Sequence, residues 1–144
     1  MNFPKYTPHK DRCIRINSAY TAIQAILFLD LYPVHKRELL DVCIWKITEA
    51  DGKFNTRFRS IGTLDEKSLR HEHVVERKSI IDRLLLEPDN YYEILNDAIA
   101  CIVSKDEHDK LTAISKKNRN LSGWERYKAA DIRVFDLLSG NELV

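Results

Sequence analysis

Three stretches of the chain carry residue types that can do chemistry. The densest is His71-Glu72-His73. On a strand, alternate side chains share a face, so His71 and His73 would point one way and Glu72 the other. Two imidazoles so placed can share a metal. On a helix the same pair would diverge by about 200°, so a metal role for them depends on the strand. The second stretch is Asp106-Glu107-His108-Asp109. Its acids complement the positive end of a helix, which accounts for them without any chemistry. His108 is less expected there, because a cation is disfavoured where a neutral or metal-bound imidazole is not. The third signal is cations interleaved with aromatics. Arg57, Arg59, Arg70, Arg77 and Lys78 flank the histidines, and Lys116, Lys117, Arg119, Arg126 and Lys128 surround Trp124 and Tyr127. Cations neutralise phosphates and aromatic faces stack bases. The plainer reading of each cluster is a solvated charged face with Trp124 and Tyr127 in the core.

The elements that must position these residues follow from periodicity. Residues 1–12 hold Pro4 and Pro8 and read as an extended, flexible arm. Asn17-Ser18 can cap a helix whose stripe is Tyr20, Ile23, Leu27 and Leu31. The apolar run 19–32 is interrupted by Gln24 and Asp30, and is too short for the roughly 20 residues a bilayer needs. Pro33 ends that helix or starts the next, which runs from Val34 to about Glu49 on Leu39, Leu40, Cys43, Ile44 and Ile47. The two form an antiparallel pair. After the turn Ala50-Asp51-Gly52-Lys53, alternation of Phe54, Thr56 and Phe58 predicts a strand over about 53–60. A second strand is expected at 70–75, then a helix to Leu86, a stop at Pro88-Asp89-Asn90, and a helix over about 91–102. Ser104 and Glu107 have capping-box spacing, so a helix should begin at Lys105. A basic loop at 116–120, a short helix from Trp124 and a last strand at 131–137 complete the reading. The expected fold is α+β and predominantly α-helical. It has about six helices and a small β element, in one domain over 1–144.

Composition sets the bounds. The chain has 144 residues, net charge +1 and 44% hydrophobic residues, so it can bury a core and is no strongly basic binder overall. Cys13, Cys43 and Cys101 form no CxxC pair and read as buried, reduced thiols, which together with the lack of a signal-peptide pattern suggests the cytoplasm. Only four glycines are present, none at the spacing of a phosphate loop, and neither GxSxG nor HExxH occurs.

Glu72-His73-Val74-Val75 resembles the first half of a His-Me finger (HNH-type) nuclease motif, with His108 similar to that family's helix histidine, 35 residues further on. The resemblance implies His73 as general base, with Glu72 and His108 holding a divalent cation. The sequence departs from the pattern at Glu76, where the family has proline, and in the long segment between the two motifs. A looser similarity is to short uncharacterised bacterial proteins of mobile-element or gene-cassette type, carried by residues 72–78, Asp106-Glu107 and Trp124-Glu125-Arg126-Tyr127, and it implies no activity. The resulting expectation is a protein acting on nucleic acid, in its sharpest form a metal-dependent phosphodiesterase. His73 and Glu72 would be catalytic, Arg70, Arg77 and Lys78 would hold phosphate, and His108 and His71 would be metal ligands. No membrane partner is expected. The alternative is a non-catalytic helical binding or adaptor module, or a homodimer through the 19–32 stripe or Trp45.

Overall fold

The computed structural model describes residues 1–144 and is α+β, with six helices and a five-stranded sheet. Helix α1 (Arg12–Leu27) starts five residues before the anticipated cap. Asn17 and Ser18 lie inside it, and Asp11 takes the cap position without a side-chain bond. Leu31 falls beyond its end, and Ala19, Ile23 and Leu27 are the buried stripe. Pro33 opens α2 (Pro33–Thr48) at a position whose missing N–H costs nothing. Leu40, Ile44 and Ile47 of α2 are buried, while Leu39 faces out.

The first strand is shorter than the alternation suggested. β1 covers only Phe58–Ser60; from Gly52 (φ +111°) to Arg57 the chain is irregular, with a turn at Lys53-Phe54. β2 (Leu69–His73) is followed by α3 (Arg77–Leu86) and the single-turn α4 (Tyr91–Ile94). Of the helix expected over 91–102, only the first turns form, to Asp97. It gives way to β3 (Ala100–Ser104), every residue of which is buried. A continuous apolar run of this length has no periodicity to separate strand from helix, and two flanking strands decide the matter here. α5 (Lys105–Lys117) and α6 (Trp124–Ala129) follow, then β4 (Val134–Asp136) and β5 (Asn141–Glu142).

The sheet order is β2-β3-β1-β4-β5, with β1 and β3 parallel and the other pairs antiparallel. One face carries Cys101, Val103 and Val134, which pack with Leu111 of α5 and Tyr127 of α6. α1 to α4 assemble a separate core of Ile23, Leu40, Ile44, Ile80, Leu84 and their neighbours, without any strand residue. Each fully buried Leu or Ile contributes about 1.5–3 kcal/mol. The molecule thus has two apolar centres, and a polar cleft opens where they meet along the β2 edge.

Two expectations about flexible or buried parts are corrected. The arm is extended but docked. Tyr6 donates to Asp51 at 2.7 Å, the His9 N–H donates to the same carboxylate, and the Phe3 ring rests on Phe135. Of the three free cysteines only Cys101 is buried; Cys43 is half-buried and Cys13 is exposed. No helix is long and apolar enough to cross a membrane.

Candidate active site

Glu72 and His108 meet. The pairing Glu72↔Cys101 puts the Glu72 side chain on the sheet face that α5 and α6 cover. β3 passes into α5 without a loop, because Ser104 ends the strand and its hydroxyl accepts from the Glu107 N–H. One residue further, His108 projects over the edge strand. Its Nδ1 lies 2.6 Å from Glu72 Oε2. A carboxylate only accepts, so Nδ1 carries a proton, and in the neutral ring Nε2 keeps its lone pair. The His108 side chain is 39% exposed, against 15% for Glu72.

Arg126 supports this pair from below. Its side chain is 3% exposed, and its guanidinium donates to the carbonyls of His73 and Val74 at 2.8 and 2.9 Å and to the Ser115 hydroxyl. The same group stands 3.5 Å from Glu72 Oε1. A buried charge needs such partners, and here they fix the end of β2.

His71 and His73 share the opposite face of β2, against α2. The His73 Nε2 is 2.9 Å from the Thr48 hydroxyl, and its ring packs edge-on to Trp45 with centroids 4.5 Å apart. Burial, then the neighbouring His71 and Arg77, push the His73 pKa down to about 3. Its ring faces α2 and does not join the Glu72–His108 pair. His71 is tied through Nδ1 to the Lys53 carbonyl at 2.6 Å, and burial lowers its pKa too. The Arg77 guanidinium lies 4.7 Å over the Trp45 ring and is bound by both Asp41 oxygens. Trp45 is half-buried and lines the recess beside β2.

Of the expected metal-holding residues, Glu72 and His108 meet, whereas His71 stands on the other face of β2. No group of three His, Cys, Asp or Glu side chains is placed to hold an ion. His71 and His73 both face Thr48, whereas His108 and Glu72 are bonded to each other on the other face.

Two adjoining recesses of about 650 and 610 Å³ share Glu72, Glu76 and Lys78. The first holds Arg77, His71, His73, Trp45 and His108; the second, between α3 and α5, is lined by polar residues alone, among them Arg83, Lys116, Arg119 and Arg126. Of the expected phosphate-binding residues, Arg77 and Lys78 line this cleft. Arg70 does not; it bonds to Ser68 and the Leu69 carbonyl. Lys78 is paired with Asp82 at 3.0 Å on a side chain 79% exposed.

Sequence reasoning placed Arg126 only in a basic cluster and passed over Thr48, Asp41 and Glu76. The one available signal for Arg126 was a charged residue between Trp124 and Tyr127, both of which pack with the core beneath α5 and α6. Fold and site together define an α+β protein with a carboxylate–imidazole pair at the edge of a mixed sheet. No family model, curated protein or solved structure matches the chain.

Proposed function

We propose that this protein acts on the phosphodiester backbone of nucleic acid, with His108 as general base and Glu72 as the residue that orients it. The observation that carries the reading is the 2.6 Å bond from His108 Nδ1 to Glu72, which also lines a polar recess holding Lys78, Arg83, Lys116, Arg119 and Arg126. A carboxylate on one ring nitrogen fixes the tautomer and steadies the imidazolium formed when the other takes a proton. Two open recesses that adjoin at Glu72, Glu76 and Lys78 suit a polymer better than a small molecule. Lys78, Lys116 and Arg119 stand where a phosphate chain would pass, and RNA or DNA of the cytoplasm is the partner this chemistry suits. His108, not His73, is the residue to test first.

The test is cleavage of plasmid and of single-stranded RNA and DNA, with Mg²⁺, Mn²⁺, Zn²⁺ or EDTA. His108→Ala should lower the rate about 100- to 10,000-fold, and Glu72→Gln should lower it as well, both without loss of fold. His73→Gln should leave the rate within a few-fold of the parent. Parent and His108→Ala acting alike, or neither acting, would remove the proposal.

A second reading has an observation of its own. Phe28, Leu29, Tyr32 and Val34 are all at least half exposed around the α1–α2 link, an apolar tip that a monomer leaves in water. We propose that a second copy of the chain covers it. This homodimer is compatible with the catalytic reading.

A further inference from the structure

We infer that the substrate is RNA, cut by attack of its own 2′-hydroxyl; the inference rests on the phosphodiesterase reading above. The site offers a base and cations, and none of its hydroxyls, Ser79, Thr112 and Ser115, is bonded to the His108 ring. The Thr112 hydroxyl donates to the His108 carbonyl, the Ser115 hydroxyl accepts from Arg126, and neither is bonded to the His108 ring. Cys101 is fully buried. Nor does any trio of acids and histidines gather to hold an ion that would activate water. The charge on the reacting phosphate falls instead to guanidinium and ammonium groups, of which the cleft holds several.

RNA fits such a site because it brings its own nucleophile. A 2′-oxygen beside the phosphorus has an effective molarity of about 10⁵–10⁸ M, and DNA lacks the group altogether. His108 Nε2 takes the 2′-hydroxyl proton. The 2′-oxygen bonds to phosphorus and the bond from phosphorus to the 5′-oxygen breaks. The leaving oxygen takes a proton from the Lys78 ammonium, the flexible cation that lines both recesses. The products are a 2′,3′-cyclic phosphate and a 5′-hydroxyl. Solvent returns the proton from His108 to Lys78, and no co-reactant is consumed.

The test uses the full chain with EDTA, a mixed-sequence single-stranded RNA, the same sequence as DNA, and RNA carrying single 2′-deoxy substitutions. Product ends are read by mass spectrometry. The expected result is RNA cleavage in EDTA, with ends that are cyclic or 3′-phosphate and never 3′-hydroxyl. DNA should be uncut, and each 2′-deoxy substitution should block the adjacent bond. His108→Ala, purified identically, should lose at least a hundredfold, and Lys78→Ala about tenfold or more with Lys78→Arg a poor replacement. Cleavage of DNA, or 3′-hydroxyl ends with activity lost in EDTA, overturns the RNA inference and leaves the phosphodiesterase reading standing. No cleavage of either polymer under any condition overturns both.

Discussion

At the scale of single residues, neighbouring positions on one strand have opposite fates. Glu72 and His73 are adjacent, but strand alternation sends Glu72 to His108 and His73 to Thr48 and Trp45. His73 then becomes a stability determinant. Its folded pKa, about 3, lies below the usual 6.5, so the unfolded chain binds a proton that the folded chain refuses. Its contribution is full above pH 6.5 and is lost as pH falls toward 3, with a slope of at most about 1.4 kcal/mol per pH unit. Acid unfolding followed by circular dichroism should therefore be less steep in His73→Gln than in the parent across that window. Parallel curves would show that the ring is not buried as described. The proximity of Glu72 to His108 had a sequence trace, an acid-His pair and a later His on a helix. The removal of His73 from the pair had one too, in the period of two, although the general-base expectation overrode it.

At the scale of elements, the first turn of α5 is seated by Glu107, which is 7% exposed. Burial raises its pKa. A Cβ on residue 62 would lie 1.5 Å from Glu107 Oε1. Gly62→Ala should thus displace the carboxylate and cost about 1–3 kcal/mol in denaturant unfolding. Adding Glu107→Ala should recover part of that cost, and strict additivity of the two changes would sink this account. Because Glu107 precedes His108, Gly62→Ala should also lower any catalytic rate. Arg126 ties α6 to the end of β2, and its loss leaves two carbonyls and Glu72 without their cation. Arg126→Ala should cost about 3 kcal/mol or more, and Arg126→Lys should restore little, since a point charge cannot reach both carbonyls and Ser115. A cost below 1 kcal/mol would mean that the contact is incidental.

At the scale of the whole molecule, two apolar centres with a polar seam between them determine where a substrate fits. The helical layer and the sheet meet along β2, so the cleft follows an edge strand whose outer side no other strand covers. The exposed tip between α1 and α2 is a separate feature. If a second copy covers it, light scattering should give a dimer, and Phe28→Ser combined with Leu29→Ser should shift it to monomer with the fold unchanged. A parent that stays monomeric at high micromolar concentration would end the homodimer reading.

Periodicity and capping, both local, determined much of this protein before any coordinates. The strand at β2, the Ser104 cap of α5, the helix from Pro33 and the α+β class all follow from short-range pattern. What the sequence could not determine was set by neighbours distant along the chain. The segment Ala100–Ser104 is a strand because β2 and β1 flank it, and the arm is docked because Asp51 receives it. The candidate site belongs to this second kind. Residue types alone named Glu72, His73 and His108, but only the register of β2 on β3, and the way β3 runs straight into α5, decided which two would touch.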